Sequence, residues 1–328
     1  MKVLAIGEVM MRLTPPSHKM IEQTDTLDLS FSGTGLNILS GLSRNDVKTS
    51  LLTGLPDNSV GKAATVFTRK LGVDTEWICH QGNHIGTYFL ELGFGNRPSQ
   101  VTYLNREASS FCSEVIPENK IEAAIEGHDI IHICGIALST SLVSRQLILK
   151  AVEFAFEKGK KIIFDFNYRP SLNTRVDHKQ LFSDYFYILE RSHLVFGSPR
   201  DLAHFYQTDS MTEEALIDKL LTDFKEIEWF TGTTRTENQG LSGWVITNKG
   251  ERVVSPTHAI TVFDRIGTGD AYASGIILGY LRGWSLQETV DFATCAADLA
   301  HTTFGDSPIL DESFIRRYMT NPEAQVFR

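Results

Sequence analysis

Cysteine is scarce in this chain, and the four present, Cys79, Cys112, Cys134 and Cys295, form no C-x-x-C pair and no Cys/His spacing. Neither a zinc site nor a disulfide framework is indicated, and a reducing cytoplasm is the expected compartment. Basic charge is also short: 31 Lys and Arg stand against 40 Asp and Glu, a net charge of -9. That balance argues against non-specific binding to nucleic acid or to an anionic membrane, so an anionic substrate would have to be met by local arginines. No apolar run approaches the ~20 residues of a membrane span. The opening Met1–Gly7 stretch is too short for a signal peptide and reads as a buried first strand. No internal repeat, low-complexity tract or disordered linker is evident.

What remains is ample for a core, with 42% hydrophobic residues over 328 positions. From residue 117 onward, apolar strands at 129–135, 161–167 and 193–197 alternate with helical stretches near 141–158, 178–190 and 212–224. Such alternation predicts an α/β protein with a mostly parallel central sheet flanked by helices, and places ligands beyond the C-terminal strand ends. Upstream, Thr49–Leu52 reads as a strand, Asp57–Leu71 as a helix, and 86–92 with 100–104 as two strands joined by a Gly/Pro-rich loop. With the 12–32 segment these could form a small antiparallel sheet. Residues 243–247 and 252–255 read as a hairpin, and Ser285-Leu286-Gln287-Glu288 as a capping box that starts a helix running to about His301.

The stretch Phe263–Gly275 (FDRIGTGDAYASG) carries the chemistry. Gly267 and Gly269 bracket Thr268 in a sharp turn that feeds an apolar helix ending near Gly283. A helix N-terminus so formed aims unpaired N–H groups and the positive end of the macrodipole at one point, an anion site. Asp270 falls on the first turn, where a carboxylate can take the proton of an attacking hydroxyl, so the pattern predicts phosphoryl transfer to an alcohol. A second glycine turn, Ser32-Gly33-Thr34-Gly35, opens a helix bearing Asn37; it lacks the third glycine of a dinucleotide fingerprint. Gly61-Lys62-Ala63 is no P-loop, because Pro56 stands where glycine is needed and Ala63 has no hydroxyl. Asp165–Pro170 (DFNYRP) ends a buried strand and offers Arg169 for bidentate carboxylate recognition.

Taken together, Asp264 with Gly267-x-Gly269-Asp270-Ala271, the Gly33/Asn37 turn and the D-x-N-x-R-P element resemble the ribokinase-like (PfkB) sugar kinase family, in matching order along nearly the whole chain. The resemblance implies one ribokinase-like kinase domain over 1–328, with an antiparallel β lid formed by about 12–32 and 79–108 that also serves as a homo-oligomer surface. It implies Asp270 as catalytic base and Gly267, Thr268 and Gly269 as the anion hole. Gly33, Asn37, Tyr88, Tyr103, Arg106, Asn167, Arg169 and Asp306 would bind substrate, the arginines gripping the carboxylate of a 2-keto-3-deoxygluconate-like acid sugar. Ser198, Thr233 and Arg235, with Gly267 and Gly269, would bind ATP, and Asp201 could hold Mg2+ through water. Two departures are visible. Ser198 and Asp201 replace the longer Asn and Glu of the family, and Tyr103 stands three residues before Arg106 rather than two, so a strand bulge is expected to re-aim Arg106. A fructokinase- or ribokinase-type enzyme acting on a neutral sugar, and a non-catalytic sugar-binding regulator, stay open as alternatives.

Overall fold

The computed structural model describes residues 1–169, 177–236, 240–322 and 326, so Pro170 of the DFNYRP stretch lies outside the described residues. Among these residues fourteen strands form two sheets. The larger contains β1 (Lys2–Ile6), β4 (Lys48–Leu55), β5 (Ile78–His80), β8 (Ile130–Cys134), β9 (Lys161–Asp165), β10 (Leu194–Phe196), β11 (Trp229–Arg235), β12 (Gly240–Thr247), β13 (Arg252–Val254) and β14 (His258–Ala259). Its order is β13-β12-β11-β10-β9-β8-β1-β4-β5, with β14 also on β12. Pairing is parallel from β11 to β5 and antiparallel through β12, β13 and β14.

The central strands are apolar on both faces, as helix-covered parallel strands must be. Leu4, Ile6, Ile131, Ile133, Ile162 and Phe164 feed one core, while Val3, Ala5, Ile130, Ile163 and Leu194 feed the other. The period-two alternation thus divides the interior into two layers of packing. The helices predicted over 141–158, 178–190 and 212–224 form at Leu142–Glu157, His178–Leu189 and Glu213–Asp223. Pro199–Tyr206 is a further helix, started by Pro at its first position. Ser285 accepts from Glu288 N as foreseen, but the Glu288 carboxylate turns to Arg316.

The smaller sheet runs β3 (Asp28–Ser32), β2 (Met10–Thr14), β6 (Thr87–Glu91), β7 (Gln100–Leu104). Two of its pairings are antiparallel, and β2 with β6 is parallel, because these strands are not joined by a hairpin but approach from distant parts of the chain. Cys79 and His80, expected within the lid, belong instead to β5 and extend the large sheet beside β4. The apolar Ile78-Cys79 pair is buried there, which decides its allegiance.

One core residue stands out. His132, on β8, is fully buried, and neither ring nitrogen has a partner among the described residues. Burial lowers its pKa to about 4, below the ordinary value. A histidine depressed in this way adds an acid sensitivity: stability present above the unfolded pKa near 6.5 is lost as pH falls through the folded value. His132→Leu is expected to raise the melting temperature more at pH 5 than at pH 7.5, since it removes a buried unpaired polar group costing about 1–3 kcal/mol. Scanning calorimetry at both pH values checks this.

Candidate active site

The C-terminal ends of β1, β8, β9, β10 and β11 open into a cavity of about 510 Å³ lined by Gly33, Asn37, Asp165, Ser198 and Asp270 among others. The lid strands close its other side, contributing Tyr88 and Tyr103. Of the residues predicted from the sequence, the cavity collects Gly33, Asn37, Tyr88, Tyr103, Arg106, Asn167, Arg169, Ser198, Asp201, Thr233, Gly267, Gly269, Asp270 and Asp306 in one wall system. Thr268 and Arg235 are not on that wall. The Thr268 hydroxyl turns back to Arg265 O at 3.1 Å, and Arg235 faces His301.

The turn before the helix Thr268–Arg282 needs glycine for two reasons. Gly267 has φ 79°, and a Cβ there would lie 1.8 Å from the Asp306 carbonyl oxygen. The first intrahelical bond runs from Ala271 N to Gly267 O, so the preceding amides carry no helical partner, the arrangement that an anion at a helix N-terminus would need. Gly33 plays a similar spatial role at the start of the helix Thr34–Ser43, where a Cβ would meet Glu8 O at 2.1 Å.

Asp270 sits on the cavity floor and accepts a bond from Asn37 Nδ2 at 2.7 Å. The Asn37 Oδ1 in turn accepts from Ser307 at 3.1 Å, which fixes the amide's orientation. Burial pushes the Asp270 carboxyl up to about 8, with Asp165 and Asp306 adding repulsion against the opposing pull of Asn37 and Arg169. Asp165 is pushed up to about 6, again chiefly by burial, and Arg169 works against that shift. Two carboxyl groups near neutrality in one cavity are a proton-handling arrangement. Asn167, held at φ 38° after β9, gives its N–H to Asp165 at 3.0 Å and leaves a buried Oδ1 without a partner among the described residues. Ser198 and Asp201 close on each other at the start of the helix Pro199–Tyr206, Asp201 Oδ2 accepting from both the amide and the hydroxyl of Ser198.

The lid register differs from expectation. β7 pairs Tyr103 directly with Tyr88 and ends at Leu104 without a bulge. Asn105 then adopts the left-handed conformation, φ 45°, and Arg106 opens a short 3-10 turn. Asparagine tolerates that backbone, so the extra residue is absorbed after the strand, and both Tyr103 and Arg106 reach the cavity. Arg106 Nε donates to Glu8 Oε2 at 2.7 Å, and Glu8 Oε1 accepts from Ser109 at 2.7 Å.

Sequence reasoning missed Arg12. It lies fully buried on β2, bonded through Nη2 to Asp264 at 2.7 Å and through Nη1 to Asp306. Asp306 also accepts from Ser32 and Tyr88, while Asp264 accepts from Ile266 N at 3.0 Å. The two carboxylates outweigh burial and hold the Arg12 guanidinium above its ordinary pKa. The signal available was a lone arginine at an inward position of an alternating strand. His301 was missed as a positioning group: Nδ1 bonds Ala297 O at 2.6 Å, so Nε2 accepts from Arg235 at 3.0 Å.

Fold and cavity define a sugar-kinase-like phosphotransferase, and comparison with known proteins agrees. The pfkB family carbohydrate kinase model matches residues 1–312. The chain is 39% identical to a candidate 2-keto-3-deoxygluconate kinase of Enterococcus faecalis, with a TM-score of 0.93 over 100% of this chain and 98% of that one. It is 30% identical to the 2-dehydro-3-deoxygluconokinase of Thermotoga maritima, TM-score 0.90, with 98% of each chain covered. A 2-dehydro-3-deoxygalactonokinase of Haloferax volcanii is 24% identical over 327 residues, 100% of this chain and 99% of the relative. The chain belongs to the PfkB family of carbohydrate kinases. No helix among the described residues is long and apolar enough to cross a membrane.

Removing Arg12 would leave two buried carboxylates without their counter-ion. Arg12→Met is therefore expected to cost about 3–5 kcal/mol of folding stability. Urea unfolding followed by fluorescence measures the loss.

Proposed function

We propose that this carbohydrate kinase transfers the terminal phosphoryl group of ATP to the primary hydroxyl of an acidic keto sugar of the 2-keto-3-deoxygluconate class, giving the 6-phosphate. The observation that carries the reading is the meeting of Asp270, at the head of its anion turn, with Arg106 and Arg169 on the wall of one cavity. Asp270 takes the hydroxyl proton, and Asn37 holds its carboxylate in place. The turn amides from Gly267 onward receive the developing phosphoryl charge. Arg106 spends Nε on Glu8, which leaves its two terminal nitrogens for a substrate carboxylate. Arg169 supplies the second grip, and Asn167 Oδ1 is available to a sugar hydroxyl. The carboxylate of Asp306 is already engaged by Arg12, Ser32 and Tyr88, so it would touch sugar only by sharing those bonds.

The nucleotide would lie along Thr233 and Ser198, with Arg235 beyond the rim. Among the described residues no group of three or more His, Cys, Asp or Glu could hold a metal ion. That fits Mg2+ carried mainly by nucleotide phosphates and reached from the protein through one carboxylate, for which Asp201 has Oδ1 to offer; the ion supplies charge neutralisation of the phosphates. The outer residues of the lid, including all of β7, are exposed, with Leu29, Val101 and Leu104 among them, and support self-association through this face. Four buried thiols suit a reducing cytoplasm. A kinase for neutral sugars is the second reading, favoured by the Glu8–Arg106 pair, which neutralises one of the two guanidiniums. ADP release measured across a panel of acidic and neutral sugars decides between them: turnover only with neutral sugars overturns the first.

Asp270→Asn keeps an oxygen for Asn37 but cannot accept a proton, so turnover should fall roughly 10²- to 10⁴-fold with sugar binding largely kept. The wild-type acid limb of kcat/KM should lie well above the ordinary carboxylate range, near the folded pKa of about 8. Because a raised carboxyl pKa contributes stability below the unfolded value that is lost as pH rises through the folded one, the variant should gain melting temperature over wild type at pH 9 and little at pH 4. Near-normal turnover would reject the base assignment.

Arg169→Ala should weaken an acidic keto sugar far more than a neutral ketose, by about 1.5–3 kcal/mol for a lost charge-assisted contact. Michaelis constants for the two sugars give the comparison, and equal losses would mean that Arg169 is structural.

A further inference from the structure

Arg265 has no role in the reaction described so far. It stands immediately before the anion turn, and its carbonyl accepts from the Thr268 hydroxyl at 3.1 Å, so its backbone is tied to that turn. Its side chain is exposed and lines the same cavity as Asp270. Among the described residues its guanidinium makes neither an ion pair nor a hydrogen bond. The adjacent carboxylate, Asp264, is already taken by Arg12. A second guanidinium is close by: after burial, the charge of Arg265 is the cause that lowers the pKa of Arg235, and it also disfavours a proton on His301. His301, whose pKa is lowered chiefly by burial, bonds Ala297 O through Nδ1, so Nε2 accepts the Arg235 bond, which turns Arg235 aside from the turn and leaves Arg265 beside it.

A guanidinium without a counter-ion among the described residues, carried by a backbone tied to unpaired helix amides in a chain of net charge -9, is a site for a strongly charged anion. We infer that Arg265 is a further catalytic residue, which contacts the phosphoryl group while it passes from nucleotide to sugar. The inference rests on the kinase reading above. In the step, the sugar hydroxyl oxygen forms a new bond to the terminal phosphorus, the bond from that phosphorus to the bridging oxygen of the diphosphate breaks, and the hydroxyl proton goes to Asp270. ADP leaves carrying the electron pair of the broken bond. Charge spread over the three equatorial oxygens at that moment is what a guanidinium on the turn can meet, while the turn amides meet it from the helix side.

The test uses Arg265→Ala and Arg265→Lys in the full chain, both expected to fold normally because the side chain is exposed and without a partner among the described residues. For Arg265→Ala, kcat should fall about 10²-fold or more, with the sugar KM within roughly threefold of wild type. Arg265→Lys should recover part of the loss by keeping the charge without the fork. Calorimetric binding of ADP with aluminium fluoride and sugar, a mimic of the group in flight, should weaken at least about tenfold in Arg265→Ala, while ADP alone changes little. An Arg265→Ala variant with near-normal kcat, or one whose loss is confined to the sugar KM or to ADP affinity, overturns this inference alone. A wild-type protein that releases no ADP with any sugar overturns the kinase reading, and the inference falls with it.

Discussion

The Arg12 ion cluster is the contact on which the rest of the site depends. One guanidinium, without solvent, joins a lid strand to Asp264, 252 residues away, and to Asp306, 294 residues away. Asp264 also holds Ile266 N, and the Asp306 backbone packs against Gly267 so closely that no side chain fits. The lid, the anion turn and the closing segment are therefore one unit. A charge this deeply buried is tolerable only with near-complete pairing, so the geometry of all three segments is set together. Phe304 lies over the guanidinium, 5.2 Å from ring centroid to Cζ, and covers it.

The cavity's electrostatics follow from what that cluster leaves over. Burial pushes both Asp270 and Asp165 toward neutrality, with Asp165 and Asp306 adding repulsion on Asp270 and Asp201 on Asp165. Ordinary aspartates would be ionised well below neutral pH and would be weaker bases. The arginines are arranged by function of place. Arg106 is held by Glu8 under the lid, Arg235 is turned aside by His301, and Arg169 and Arg265 face the cavity. An acidic chain thus presents local positive charge where an anionic sugar and a nucleotide would meet.

Much of this was legible from residues alone. The near-continuous apolar runs of β8, β9 and β10 marked the buried parallel strands, since strands that face helices on both sides are mostly apolar at every position. The Gly267–Asp270 turn could be read because only glycine serves a left-handed residue with a backbone pressed against it. Asn37 and Asp270 were recognised separately, and their 2.7 Å bond places them in one site. The lid's extra residue was visible as an anomaly, but its resolution into a left-handed Asn105 was not, because a bulge and a turn after the strand leave the same spacing.

The sequence by itself determined the α/β architecture and the glycine turn that carries Asp270 on the first turn of its helix, because each is encoded locally, in apolar runs or in a run of consecutive residues. Tertiary structure alone decided the parallel pairing of β2 with β6, the place of Cys79 and His80 in the large sheet, the Arg12–Asp264–Asp306 cluster and the buried His132 ring, which has no partner among the described residues. These depend on partners far away along the chain, and a charged or polar residue on a strand carries no local mark of which distant group will meet it, or whether any will.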